Sequence, residues 1–271
     1  MAPSVGWVWP AVADPNRPRE PLPTRVDGLP ELPHGYHEAV EAGLRDLAIE
    51  LTPAARTAVD GHVRLLLAWT AAINLTAIRD PIDVALLHVI DSLAGLAALG
   101  SASPERILDL GSGGGYPGIP LAVALPAAQV VLVDSIAKKV TFLETAIHAI
   151  GLSGRVRPVA ARAEALAVDR EHRVAYDVVV VRAVAPLAEL VELAMPLLAT
   201  GGRLVAWKRG SIEDELTTAR GAVASLGGGA VEVTPIGAAG LVDHLLVTVH
   251  KVGPTPSGFP RDPSTRRRHP L

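Results

Sequence analysis

Apolar positions change period along this chain, and the changes divide it. From about His37 to Ala98 they recur at helical spacing: Val59, Val63, Leu66, Leu67 and Ala68 fall near i, i+3 and i+4. The pattern breaks at Asn74-Leu75-Thr76 and resumes from Val84 to Leu99, with Pro81 where a first helical turn tolerates proline. From Arg106 the period shortens. Runs of Val, Leu and Ile predict strands at Arg106–Leu110, Gln129–Asp134, Arg155–Ala160, Asp177–Arg182, Gly202–Trp207, Ala230–Thr234 and Leu245–Lys251. Between them, Ala137–Ile150 and Leu187–Leu198 are long enough for crossover helices. Val178–Val181 is apolar at every position, as a parallel strand covered on both faces must be. The expected fold class is therefore α/β: a doubly wound, mostly parallel, seven-stranded, Rossmann-like sheet with an N-terminal helical lobe. The last two strands leave no room for a helix between them and are expected to pair antiparallel.

Proline marks the outer limits. Residues 1–35 carry Pro3, Pro10, Pro15, Pro18, Pro21, Pro23, Pro30 and Pro33, a spacing that forbids a regular helix and reads as a disordered or loosely packed leader. The expected organisation is a leader at 1–35, a helical lobe at 36–100, the α/β domain at 101–252 and a basic tail at 253–271. That tail sets Arg261, Arg266, Arg267 and Arg268 against Asp262, which makes it either a nucleic-acid contact or a solvated end.

Composition removes several chemistries. With no cysteine there is no disulfide, no thiolate zinc site and no cysteine nucleophile, and no metal is expected. The net charge of −3 provides no global attraction for nucleic acid, so such a partner needs a local basic patch. No continuous apolar run reaches the roughly 18–20 residues of a membrane span. Nor does the N-terminus join a basic segment to a signal-peptide core, so the expectation is a cytoplasmic protein without a membrane partner.

The candidate chemistry centres on Asp109-Leu110-Gly111-Ser112-Gly113-Gly114-Gly115-Tyr116-Pro117-Gly118, set between a strand and a helix. Glycines there permit positive φ and close approach of a ligand to the backbone. Gly113, Gly115 and Gly118 formally satisfy the dinucleotide pattern, with Asp134 about 20 residues further on, so NAD or a flavin dinucleotide competes as ligand. Asp109 favours another cofactor. A carboxylate two residues before Gly111 repels a pyrophosphate but attracts the ammonium and sulfonium of S-adenosylmethionine. Asp134 suits the ribose hydroxyls of either. Glu164, just past the third strand, faces the adenine edge or is a solvated acid at a helix start. Arg182 ends the fourth strand at the carboxyl edge where open α/β sheets bind ligands; the alternative is a buried ion pair. Lys208 ends the fifth strand similarly, as an anion contact or a snorkelling side chain.

Five motifs recur in order: Asn74-Leu75-Thr76-Ala77; His88-Val89-Ile90-Asp91-Ser92-Leu93; Leu110 through Pro120; Asp134-Ser135 with Lys138-Lys139; and Val181-Arg182-Ala183. Together they make the chain resemble the RsmG (GidB) family of bacterial 16S rRNA guanine-N7 methyltransferases over roughly residues 55–210, with a weaker echo from Phe259-Pro260 to Pro270-Leu271. The resemblance implies a class I methyltransferase domain binding S-adenosylmethionine. It maps the cofactor pocket onto Gly111, Tyr116, Ala163, Glu164 and Arg182, beside the Asp109, Gly113, Gly115 and Asp134 already singled out. The implied substrate is a guanine of the 530-loop region of 16S rRNA (guanine 527 in rRNA numbering), in the 30S subunit or its precursor. A monomer is the default. The chain departs from the family at Leu87, where relatives often carry arginine, at Gly114, where they often carry proline or alanine, and in its proline-rich leader.

Guanine N7 offers an in-plane lone pair and needs no proton removed, so an enzyme methylating it works by positioning and needs no dedicated base. Arg182 is the candidate for that positioning, of cofactor or substrate. Methylation at pyrimidine C5 commonly needs a cysteine, absent here. The Asn/Asp-Pro-Pro-aromatic run of amino-group methylation is not matched by Arg182-Ala183-Val184-Ala185. A dehydrogenase, or a non-catalytic RNA-binding protein that keeps the fold, are the competing readings.

Overall fold

The computed structural model describes residues 21–99, 104–182 and 185–271. The first twenty residues of the leader and Ala183 of the fifth motif lie outside them. Seven strands form one sheet: β1 (Arg106–Leu110), β2 (Gln129–Asp134), β3 (Val156–Ala160), β4 (Tyr176–Arg182), β5 (Leu198–Arg209), β6 (Gly228–Pro235) and β7 (His244–Lys251). Their order is β3-β2-β1-β4-β5-β7-β6. The first five are parallel, and β7 inserts antiparallel between β5 and β6. Strand order reverses between β1 and β4, the switch point at which open α/β sheets form a crevice for ligands.

Alternation along the strands divides the core into two layers. Ile107, Val130, Leu132, Val178, Val180 and Val205 face one side, where they join the buried side chains of the N-terminal helices in a single cluster. Leu108, Leu110, Val131, Val133, Val179 and Val181 face the other, against later helices. The N-terminal helices are thus the cover of one sheet face and share its core. They comprise α1 (His34–Asp46), α2 (Pro53–Ile73) and a longer helical stretch, Pro81–Ala98, here α3. Thr52 caps α2, accepting from the Ala55 N–H at 3.2 Å, and Asn74 ends it in the left-handed conformation at φ 44°.

Pitch changes twice along α3. Asp80 caps it over Pro81; Ala85–Ile90 then widen into a π-helical segment, Asp91–Leu93 are α-helical, and Ala94–Ala98 tighten to 3₁₀. The spacing predicts one uniform helix from Val84, and the difference has a visible cause. Side chains from the sheet take up main-chain carbonyls of α3: Arg182 donates to Leu87 O at 2.9 Å, and the Trp207 indole N–H to Asp91 O at 2.7 Å. Such π segments inside helices are common at functional sites. By length and composition Pro81–Ala98 is apolar enough to cross a membrane, which qualifies the sequence-based expectation of no such stretch. It carries Asp83 and Asp91, and Val84, Ala85, Val89, Ile90, Leu93 and Ala94 are packed into the sheet's core, while Ile82 is exposed.

Both ends differ from expectation. Residues 21–33, predicted to belong to the loose leader, pack on α2. The Trp69 indole N–H donates to Pro23 O at 2.8 Å, Arg64 donates to Leu29 O, and Leu32 is buried. The tail beyond β7 is also docked. It ends in a short helix (Pro263–Arg268) capped by Asp262, and Phe259 and Leu271 pack on the second core layer. Isolated apolar side chains and hydrogen bonds to distant residues hold these segments, and hydrophobic periodicity does not register them.

Candidate functional site

At the C-terminal end of β1 the glycine loop turns into α4 (Gly118–Ala124). Gly111, Gly113 and Gly115 all take positive φ there, at 83°, 55° and 89°. The loop is fastened from both sides. Asp134, at the end of β2, accepts from the Gly113 N–H at 3.0 Å through Oδ2 and from the Ile136 N–H at 2.9 Å through Oδ1. Beneath, His62 of α2 bonds the carbonyl of Gly114 at 2.8 Å. A Cβ on Gly114 would lie 2.7 Å from Leu66 Cδ1, and one on Gly115 would lie 3.0 Å from His62 Nε2. These two glycines serve the seating of the loop on α2, whereas Gly111 lines a cavity.

That cavity, of about 390 Å³, opens among Gly111, Asp134, Ala163, Glu164, Glu189 and Arg266. Ala163 and Glu164 begin α6 (Ala163–Val168), and Glu189 belongs to α7 (Leu187–Ala194). Four of the residues singled out in the sequence therefore meet here. Asp109 lies behind the loop, fully buried, its Oδ2 accepting from the Gly118 N–H at 2.9 Å while Oδ1 has no partner among the described residues. Burial pushes its carboxyl up to about 7, against the partial stabilisation that the Gly118 N–H gives the ionised form.

Gly118 allows this contact. A Cβ there would fall 2.6 Å from Asp109 Oδ2 and 2.9 Å from Asp109 Cβ, besides striking Leu132. Gly118→Ala is expected to destabilise the protein by about 1–3 kcal/mol, the usual range for overpacking. Denaturant unfolding reads it, and a midpoint equal to the parent's would contradict the packing.

A second cavity, of about 590 Å³, lies across the switch point, lined by His88, Asp91, Arg182, Trp207, Lys208 and His244 among others. Leu190 of α7 reaches this one and Leu193 the other, so one short helix borders both. Asp91 is its electrostatic centre. Oδ2 takes Arg182 Nη1 at 2.9 Å and Oδ1 takes His244 Nδ1 at 2.8 Å. Arg182 thus forms the buried ion pair that was one of its two readings, and it also lines this cavity. Lys208 does not snorkel: it pairs with Glu215 and donates to Ala185 O at 3.0 Å.

His88, in the wall of this second cavity, ends an aromatic column. The Tyr116 ring lies 4.6 Å from that of His62 and 4.7 Å from that of His88, with the Arg182 guanidinium 5.4 Å from its centroid. So enclosed, buried Tyr116 presents no face on which a base can stack. His88 accepts from Arg182 Nη2 at 3.2 Å through Nδ1, which leaves Nε2 to donate to Thr76 Oγ1 at 2.7 Å. Burial, then the neighbouring Arg182, lowers its pKa to about 3, and burial lowers that of His62 to about 4; both rings are neutral. The column positions groups and carries no titrating base near neutrality.

Sequence reasoning missed His244, whose pairing with Asp91 spans 153 positions, and Arg266, which reaches Glu164 across 102. Nothing local to either residue signals its partner.

The family model for GidB, rRNA small subunit methyltransferase G, matches residues 56–243. The chain is 42% identical over 206 residues to the ribosomal RNA small subunit methyltransferase G of Roseiflexus castenholzii, covering 76% of this chain and 87% of that protein. It is 38% identical over 230 residues to the protein of the same name from Dehalococcoides mccartyi, covering 84% and 97%. Among solved structures it shares its fold with an O-methyltransferase from Bacillus cereus solved with SAH, at a TM-score of 0.52 and 17% identity over 71% of this chain and 91% of that one.

Proposed function

Because the chain belongs to the rRNA small subunit methyltransferase G family, we propose that it transfers the methyl group of S-adenosylmethionine to N7 of a guanine in the 530-loop region of 16S rRNA. The substrate is the 30S subunit or its precursor, and the enzyme is a cytoplasmic monomer. The observation that carries the reading is the pair of cavities that α7 borders, one lined by Gly111, Asp134 and Glu164, the other built on Arg182 and Asp91.

The first cavity suits the adenosine end of the cofactor: Asp134 for ribose hydroxyls, Glu164 for the amino edge of adenine. Asp109, with an unpartnered buried oxygen behind the loop, suits the cationic end. When bound, S-adenosylmethionine supplies an electrophilic methyl group. The protein's part is orientation. Arg182, fixed by Asp91 and Leu87 O, and the neutral His88 hold the wall against which the purine is set. N7 attacks with its own lone pair and no proton has to leave it, which agrees with a site whose histidines are held neutral. The dehydrogenase alternative falls with the family membership, and methyl turnover separates an enzyme from an RNA-binding relic.

The test is transfer of labelled methyl groups to 30S subunits and to naked 16S rRNA, with the product mapped by strand cleavage at N7-methylguanine. Near-stoichiometric incorporation at one guanine is expected; none on either substrate, or methylation elsewhere, overturns the reading. Arg182→Ala should lower turnover by about 100-fold, the scale of a misplaced reacting group. The assay is run where circular dichroism shows the variant folded. Unchanged turnover and cofactor affinity would remove Arg182 from the mechanism.

A further inference from the structure

The C-terminal helix, Pro263–Arg268 (α9), carries three consecutive arginines that do not share a role. Arg267 and Arg268 are exposed, whereas Arg266 is turned inward with its side chain only 8% exposed. Its Nη2 donates to Glu164 Oε1 at 2.5 Å, its Nη1 to Arg261 O at 2.6 Å, and its Nε lies 3.4 Å from Glu189 Oε1. The helix is anchored independently of that contact. Arg261 grips Glu192 of α7, its main-chain N–H and Nε meeting Oε1 at 2.8 and 2.9 Å and its Nη2 meeting Oε2 at 2.6 Å. Arg173 donates to the carbonyls of Phe259 and Pro256. The last segment of the chain therefore forms a wall of the cavity that Gly111, Asp134 and Ala163 also line.

We propose that Arg266 is a cofactor-positioning residue, holding Glu164 so that the carboxylate accepts a hydrogen bond from the 6-amino group of adenine. The inference rests on the reading of this cavity as the adenosine end of the S-adenosylmethionine site. Asp134, Glu164 and Glu189 border the cavity together with Lys139, Arg162 and Arg266, and of these cations it is Arg266 that binds Glu164. The bond from Arg266 engages Glu164 through Oε1 and orients the second oxygen. A carboxylate fixed in this way accepts from an exocyclic amine and repels a carbonyl oxygen at the same position. Recognition of adenine is thereby coupled to a helix some 100 positions away in sequence.

Isothermal titration of the full chain with S-adenosylhomocysteine and with its 6-oxo analogue, S-inosylhomocysteine, tests this without an activity assay. The parent should prefer the 6-amino ligand by about 10–100-fold, the value of a hydrogen bond to a charged group. Arg266→Gln should bind S-adenosylhomocysteine about tenfold more weakly and lose most of the preference. Arg266→Lys, which keeps the charge without the planar fork, should fall between. Arg170→Gln, at an exposed site away from the cavity, should match the parent. Thermal unfolding of each variant confirms that it is folded at the titration temperature. Unchanged affinity in Arg266→Gln overturns the proposal. So does equal weakening of both ligands with the preference preserved, which is the signature of a purely structural tail. If the parent binds neither ligand, the cofactor reading falls and this inference falls with it.

Discussion

Asp91→Ala should lower the thermal midpoint by roughly 10 °C and turnover by about 100-fold at the same time. Asp91 is 2% exposed and is the one carboxylate between Arg182 and His244. Removing it leaves the Arg182 guanidinium, 15% exposed, without its counter-charge. Breaking a buried pair in this way costs about 3–5 kcal/mol. At roughly 2–4 °C per kcal/mol for domains of this size, that becomes the expected drop. The loss of function has a separate cause, because Arg182 then no longer holds its place between Leu87 O and the Tyr116 ring. The double substitution Asp91→Leu with Arg182→Met distinguishes the two effects. Replacing both charges with apolar groups of similar volume is often neutral for stability, so the midpoint should recover while methyl transfer stays about 100-fold down. An Asp91→Ala protein melting within a degree or two of the parent would show that the pair does not stabilise the fold.

The parts of this arrangement that were legible in the sequence are those governed by local rules. The sequence pattern puts strands β1 and β2 at the bounds they have, because each is a short, mostly apolar run ended by a turn. Antiparallel pairing of β6 and β7 followed from the shortness of the link between them. The glycine loop, Asp134, Glu164 and Arg182 could be singled out because loop chemistry and element ends are local in sequence, and the fold brings Gly111, Asp134 and Glu164 to one cavity and Arg182 to the other. Hidden features depended on pairings between distant positions. A histidine at the start of β7 reads like any other until Asp91 is placed opposite it, and Arg266 reads as part of a basic tail until α9 folds back onto Glu164. The π segment of α3 is invisible for a related reason. Its apolar residues satisfy a helical period either way, and what widens the turn is contact with the sheet.

The remaining electrostatic feature leads to a pH-dependent cofactor affinity. Asp109 ordinarily titrates near 3.8, but burial holds its carboxyl at about 7 in the folded protein. Below that value the buried group is neutral, and a cationic ligand must drive off the proton before the carboxylate can attract it. S-adenosylmethionine should therefore bind about tenfold more weakly for each pH unit below 7, and binding near pH 6 should release close to one proton. Titration calorimetry in buffers of different ionisation heat measures both. Asp109→Asn cannot ionise, so its affinity should be flat across this window and near the parent's value at the acid end. Stability carries the opposite sign. A carboxyl whose folded pKa is raised contributes stability that is fully present below about 3.8 and is lost as pH rises through about 7. Without ligand, Asp109→Asn should therefore match the parent near pH 4 and become the more stable of the two by pH 8. The two trends share one cause: the group that makes the empty pocket unstable at neutral pH is the one that a cationic cofactor stabilises. A parent affinity independent of pH between 5 and 7, or a proton release that survives in Asp109→Asn, would move the cation-binding role to another residue.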